Sequence, residues 1–302
     1  NCKDTIQATL KGNDTMEMTK KCLRQICVEN KLYTTPQLNE TLYLNFKGFN
    51  KIQHLEEYSS LKALYFEGNG LSKIEGLDEQ TEIRTLILEA NLIETIENLG
   101  HMVALDTLNL SKNLVEKIEN VQTLKNLRTL ILSFNRLSAY EHVENITHLT
   151  QLQTLDLQHN KLFDGRIFDL FQELSDLRVL YLQGNPVVGQ VAHYRKALIG
   201  RCKSLRYLDT RPVFSDERRR CDAWHEGLAI GGIEMANENE RKVMSKIKEE
   251  CSDEEKSRLR YLDDLMEGAR TAAPSDTLNK KHIDCSKVNQ RPNRLLSKQQ
   301  NL

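Results

Sequence analysis

The chain has 302 residues, with 42 lysines and arginines against 43 aspartates and glutamates. So small a net charge gives no global attraction to nucleic acid or to an acidic membrane, and it argues against an RNA-processing adaptor that works through a basic surface. Seven cysteines, an odd number with no C-x-x-C pair, are expected to be free thiols, because disulfide frameworks and zinc sites announce themselves through spacing. No apolar run approaches the ~20 residues of a membrane span, and no secretory leader is expected.

Residues 1–17 are polar and without period and are expected to be disordered. Over 18–38, Leu23, Ile26 and Cys27 have the spacing of a short amphipathic helix with Thr19 as its N-cap. A helix there would cap the segment that begins near residue 39.

That segment is a repeat. Leu61, Leu64, Phe66, Asn69, Leu71 and Ile74 recur 22 residues later as Ile83, Leu86, Leu88, Asn91, Ile93 and Ile96. They recur again as Leu105, Leu108, Leu110, Asn113, Val115 and Ile118, and Leu127, Leu130, Leu132, Asn135 and Leu137 keep the register. This is the leucine-rich-repeat signature. A first, atypical unit begins near residue 39 and carries Lys47 at the asparagine position. The sixth and seventh units begin at Leu152 and Leu177, the sixth after a gap of 25, and a half-unit, Leu205-x-x-Leu208, closes the series after a spacing of 28. About seven repeats and a C-terminal cap are therefore assigned to 39–214. Each unit has an apolar face that only a stacked neighbour can bury. The fold class expected is an α/β leucine-rich-repeat solenoid, a curved parallel sheet backed by 3-10 turns early and short helices late. Ile167, Leu170, Phe171 and Leu174 supply a helical stripe for the latter.

From Ser215 the composition turns to charge. Residues 215–270 are expected to form a charged helical extension with thin apolar lines at Met235, Val243, Ile247 and Cys251 and at Leu259, Leu262 and Met266, without a sustained heptad. The basic run Arg218, Arg219, Arg220 beside Asp216, Glu217 and Asp222 reads as a solvated helix face, with Trp224 packed on the cap. Residues 271–302, rich in Ser, Asn and Gln with six Lys/Arg to two Asp, are expected to be disordered.

Chemistry has little foothold. The repeated asparagines Asn69, Asn91, Asn113, Asn135, Asn160 and Asn185 are placed to satisfy backbone groups of their own turn and of the adjacent repeat. The eight histidines have no metal-ligand spacing, and nucleophile-elbow, phosphate-loop and dinucleotide motifs do not occur. No catalytic, cofactor-binding or metal-binding residue is assigned, and the chain is not expected to be an enzyme. Of four glycosylation sequons, Asn13, Asn39, Asn109 and Asn145, the third falls inside a repeat strand, and all four are discounted.

The informative positions lie between the leucines. Period-two alternation sends the leucines inward and the intervening residues to the concave side. Read down the stack, those residues are Tyr43, Tyr65, Ile87, Asn109, Ile131, Asp156 and Tyr181, and Phe46 and Phe134 precede the asparagine position. Large apolar groups facing water are typical anchors of protein interfaces, and these nine residues are the candidate partner-binding face, with a partner seated over the first five strands. The alternative is that the rings tuck into one another or lie under the flanking segments.

The flanks carry a resemblance. Asn185-Pro186-Val187, Tyr194-Arg195 and Leu205-Arg206-Tyr207-Leu208-Asp209 are similar to the C-terminal cap of the cytosolic leucine-rich-repeat class. That class includes regulators of protein phosphatase 1, a spliceosomal U2 protein and the leucine-rich light chain of outer-arm dynein. Met18 to Lys21, Lys31 to Tyr33 and Pro36 to Leu44 with Lys47-Gly48-Phe49 resemble the entry of the dynein axonemal assembly factor 1 family into its first repeat. Arg211 to Phe214 and Cys221 to Trp224 resemble its exit. The resemblance covers about residues 18–250. It implies a non-catalytic interaction scaffold of cytoplasm and cilium for preassembly of axonemal dynein arms and for cilium or flagellum stability, with dynein chains and assembly chaperones as partners. It implies no cofactor, no nucleic acid and no membrane. A phosphatase-1 targeting subunit is the alternative.

Overall fold

Parallel strands of three residues, one per repeat, are held at a constant register by the leucine that each carries at its centre. A computed structural model of the chain describes residues 17–271, with side chains through Met266. The disorder expected for 1–17 and 271–302 lies, apart from Glu17 and Thr271, outside the described residues. The strands are β1 (Thr41–Tyr43), β2 (Ala63–Tyr65), β3 (Thr85–Ile87), β4 (Thr107–Asn109), β5 (Thr129–Ile131), β6 (Thr154–Asp156), β7 (Val179–Tyr181), β8 (Tyr207–Leu208) and β9 (Arg211–Pro212). They pair in sequence order, β1 through β8 all parallel. Leu42, Leu64, Leu86, Leu108, Leu130, Leu155, Leu180 and Leu208 align rung on rung and are fully buried. Each such side chain contributes about 1.5–3 kcal/mol on leaving water.

Between strands the chain returns through turns closed by bonds from residue i+3 to residue i, such as Met102 N to Leu99 O and Leu124 N to Val121 O. Longer units hold 3-10 segments at Tyr140–His142 and Glu144–His148 and the helix α2 (Ile167–Glu173), whose Ile167, Phe168, Leu170 and Phe171 are buried.

The asparagine ladder does what buried backbone demands. Asn113 is nearly buried; its Oδ1 accepts from Ile93 N at 3.0 Å, and its Nδ2 donates to Leu88 O, Leu110 O and Ser111 O. Asn69, Asn91, Asn135, Asn160 and Asn185 repeat the arrangement. Where the first unit has Lys47, its N–H and that of Phe49 donate to the Oδ1 of Asn69. A second ladder runs along the return segments and was not read from the sequence. Asn98, Asn120 and Asn145 donate to Ile74 O, Ile96 O and Ile118 O, each at 2.7–2.8 Å.

At one end, α1 (Lys20–Glu29) begins at Thr19, whose hydroxyl accepts from Cys22 N, and buries Leu23, Ile26 and Cys27. Asn39, at the first apolar position of the first unit, is buried and bonded to the N–H and C=O of Tyr33. At the other end, α3 (Pro186–Gln190), α4 (Tyr194–Arg201) and the antiparallel strand β9 come after the seventh unit. The helix α5 (Ser215–Thr271) is broken at Gly231–Gly232, where Gly232 takes φ 69°. After the break the chain folds back on the arm before it, with Glu240 meeting Arg220. A Cβ on Gly227 would lie 2.7 Å from the Cα of Ala236, so only glycine lets the two backbones approach this closely.

The arginine run is not the solvated face expected of it. Arg218 donates to Ile199 O, Cys202 O and Leu205 O at the carbonyl end of α4, and Arg220 meets Glu240 at 2.8 Å, which Lys196 also engages. A guanidinium held among free carbonyls supplies donors that the end of a helix otherwise lacks, which is why it is drawn in. Trp224 is buried beside His193 and Lys196.

The chain divides between Ile247 and Lys248 into two units. The first holds the sheet, both ends of the stack and the Gly227 contact. The second, as far as it is described, is the last part of α5, with exposed side chains that include Leu259, Leu262, Leu265 and Met266. Among the described residues no helix is long and apolar enough to cross a membrane.

Asn113→Ala should cost about 1–3 kcal/mol in urea unfolding, since it strands the buried Ile93 N–H, while the carbonyls of Leu88, Leu110 and Ser111 keep donors from Asn91, Asn135 and Ala90. Asn109→Ala, at the partly exposed strand position, should cost less than about 1 kcal/mol.

Candidate partner-binding face

All nine candidate residues lie on the open side of the sheet. Every strand from β2 to β6 has its central leucine buried and both neighbours partly exposed, the burial pattern that alternation imposes on a one-sided sheet. Tyr43, Phe46 and Phe134 are 43%, 77% and 46% exposed, values at which side chains can be contacted without unfolding the stack. Tyr65, Ile87, Asn109, Ile131, Asp156 and Tyr181 are half-buried.

These residues do not form one continuous column. Tyr43 and Tyr65, paired in register, stack at 5.0 Å between centroids and 21° between planes. Ile87 and Ile131 are separated by Asn109, whose Nδ2 donates to Glu89 and whose Oδ1 accepts from the N–H and hydroxyl of Ser111. Tyr181 meets Tyr207 edge to face at 6.0 Å. The rings tuck partly into neighbours, yet the two exposed tyrosine and phenylalanine clusters remain accessible.

Phe46 and Phe134 belong to a second row. The residue before the asparagine position is left-handed in one rung after another: Phe46, Ala90, Lys112, Phe134 and His159 have φ between 51° and 58°, and Gly68 and Gly184 occupy the same place. Each ring on this row lies across the next rung. A Cβ on Gly68 would collide with the Phe46 ring, a Cβ on Gly184 would collide with the His159 ring, and Phe134 stacks on His159 at 4.4 Å.

Several residues of the face escaped the sequence reading because only one of its exposed positions was traced down the stack. The position two residues after the tyrosine column carries Asn45, Glu67, Glu89 and Gln158, and the row of left-handed residues adds His159. Reading those positions at the same period would have found them.

The face carries carboxylates at Glu67, Glu89 and Asp156 and a lysine at Lys112. Burial pushes the Glu89 carboxyl up, but hydrogen bonds from Lys112, at 2.8 Å, and from Asn109 and Ser111 outweigh it and hold the group below its ordinary value. Asp156 is raised, because burial outweighs the N–H of Gln158 that its Oδ1 accepts at 2.9 Å. Among the described residues no cluster of three metal-ligating side chains occurs. Cys22, Cys27, Cys202, Cys221 and Cys251 are free thiols.

Comparison with known proteins reports on both stack and flanks. Residues 80–237 match the family described as Leucine-rich repeat. Leucine-rich repeat-containing protein ODA7 of Chlamydomonas reinhardtii is 53% identical over 244 residues, 81% of this chain and 54% of its own length. Human dynein axonemal assembly factor 1 is 57% identical over 236 residues, 78% of this chain and 32% of its own length. The rat protein of the same name is 61% identical over 210 residues, 70% of this chain and 33% of its own length. The chain thus spans about half or less of the length of these relatives. An internalin of Listeria monocytogenes superposes with a TM-score of 0.52 at 20% identity, over 65% of this chain and 52% of its own length, a likeness of fold alone.

Asp156 carries a pH prediction. Its folded-state pKa is raised, so between the ordinary aspartate value and the raised one the native state binds more protons than the unfolded state, and stability falls as pH rises through that window. Asp156→Asn should therefore raise the melting temperature at neutral pH and lose that advantage below about pH 4, where both states of the wild-type group are protonated. Thermal unfolding across pH 3–7 reads this directly.

Proposed function

The chain belongs to the leucine-rich-repeat family, in the branch of the dynein axonemal assembly factor 1 proteins, and from that membership we propose a non-catalytic scaffold for the cytoplasmic preassembly of axonemal dynein arms. In this reading it serves cytoplasm and cilium, takes dynein chains and assembly chaperones as its protein partners, and holds them on the open strand face.

The observation that carries the assembly role is identity of 57–61% over 210 to 236 residues with proteins bearing that name. The physical support for the docking face is the exposure of Tyr43, Phe46 and Phe134 on a rigid ladder whose stability rests on other residues. Aromatic anchors on a preordered surface lose little entropy on binding, which favours capture of a protein partner. The phosphatase-targeting alternative is not favoured, since the human and rat relatives carry the assembly-factor name.

Two measurements test the reading. Depletion in the ciliated cells that make the protein should remove dynein arms from otherwise intact axonemes; arms left in place would refute the assembly role. Tyr65→Glu combined with Ile131→Glu should abolish co-purification of dynein chains and chaperones while moving the melting temperature by less than about 3 °C, as expected for half-exposed positions. Recovery of a phosphatase catalytic subunit in place of dynein chains would reverse the assignment.

A further inference from the structure

The open face has a local chemistry at its first two rungs that specifies part of what binds there. Alternation places Tyr43 with Asn45 and Tyr65 with Glu67 on the same side of neighbouring rungs. The parallel ladder continues past the strands through Leu44 N to Tyr65 O and Phe46 N to Glu67 O, both at 2.8 Å, so the four side chains form a two-by-two block. One half of the block is the stacked tyrosine pair, and the exposed Phe46 ring stands at its margin, lying over Gly68. The other half is an amide and a carboxylate, and there Asn45 Oδ1 and Glu67 Oε2 are both buried without a hydrogen-bond partner.

A buried carboxylate oxygen without a donor is unfavourable, and the chain's own nearby cations are engaged elsewhere. Lys62 is paired with Glu40 at 2.6 Å, and Lys112 with Glu89 at 2.8 Å. The block therefore offers negative charge and aromatic faces within the reach of one side chain, and two shielded acceptors that lack donors until their side chains turn outward. A carboxylate or phosphate from a partner would be repelled by Glu67, and an aliphatic side chain would leave both acceptors unmet. A guanidinium or ammonium meets each feature: it supplies several donors, its charge opposes that of Glu67, and it is attracted to tyrosine ring faces.

We propose that Tyr43, Asn45, Tyr65 and Glu67 form a receptor for an arginine or lysine side chain of the polypeptide held on the strand face. This rests on the docking reading above and adds the identity of an anchor residue in the partner. Bound this way, the cation lies over the tyrosine pair and donates to the Glu67 carboxylate and the Asn45 carbonyl, while flanking residues of the partner extend toward Ile87.

The test uses the protein as it is and three small probes at equal concentration, N-acetyl-arginine amide, N-acetyl-leucine amide and N-acetyl-glutamate amide, monitored by NMR of assigned side chains. The arginine probe should shift the ring resonances of Tyr43 and Tyr65 and the side chain of Glu67, with no comparable shift from the other two. Glu67→Gln, isosteric and on the open face, should keep the native amide spectrum and weaken the arginine response by about 10-fold, the loss expected for one charge-assisted hydrogen bond. Equal shifts with the leucine probe, no shift with any probe, or an arginine preference that survives Glu67→Gln would each overturn the proposal. Docking is read separately by partner capture in the Tyr65 and Ile131 double variant. A leucine response without arginine preference removes the cation receptor and leaves docking standing, whereas capture that survives the double variant removes docking itself.

Discussion

A backbone that reverses direction inside an apolar stack must find partners for the amides and carbonyls it buries, and in this molecule one asparagine per repeat provides them. Its Oδ1 takes an N–H from the preceding repeat and its Nδ2 reaches carbonyls of both repeats, as Asn113 does with Ile93, Leu88 and Leu110. Leucines alone would drive collapse but would not choose a register, because apolar contact is non-directional. The amide does choose, since its donors and acceptor are met only when adjacent turns superpose. Period, register and the outward direction of every intervening side chain derive from that one requirement. The open face is consequently an ordered array, with its side chains held in position by a backbone whose register the buried leucines and asparagines set.

Much of this was legible in the sequence, and the particular residues show why. The leucines and asparagines recur at a fixed spacing, and a residue repeated at the structural period carries its environment with it, so Leu86 or Asn91 can be placed without coordinates. Features that occur once, or that change identity from rung to rung, were not legible. The left-handed turn position is Phe46, Gly68, Ala90, Lys112, Phe134 and His159 in successive repeats, and no single residue type marks it. The second ladder of Asn98, Asn120 and Asn145 has Gly76 in the preceding unit and a changed spacing after Asn120, so its period is short-lived. Arg218 was misread because a charge run has the same appearance whether it faces water or a set of helix-end carbonyls. Only the fold brings Ile199, Cys202 and Leu205 to it.

The candidate face was legible at one position and hidden at two. Alternation identified Tyr43, Tyr65 and Ile131 as outward, and they are. It could not show that Tyr43 and Tyr65 stack, that Asn109 interrupts the apolar run, or that Glu67 is left with a buried oxygen and no donor. These properties belong to pairs of rungs, and a strand pattern describes one rung at a time. The carboxylates make the same point: Glu89 is held down by a lysine 23 residues away, while Asp156, on the same face but without a cation in hydrogen-bond contact, is pushed up by burial.

Stability and surface exposure are therefore carried by different positions of the same short repeat. The leucine and asparagine positions are buried and bonded to neighbours, so a change there is felt through the whole stack, because each unit is stabilised by the one beside it. The positions between them contact mainly the next rung, and their exposure lets them vary in charge and size from Tyr43 to Glu89 to Phe134 without disturbing the ladder beneath. Both ends of the stack are closed, by α1 at one and by β9 and the first part of α5 at the other, and the strand face stays open between them. A fold built in this way can acquire a partner by substitution at exposed positions alone. The first rungs show it: Tyr43, Asn45, Tyr65 and Glu67 differ in size and charge on the open side, while Leu42, Leu44, Leu64 and Phe66 stay fully buried beneath them.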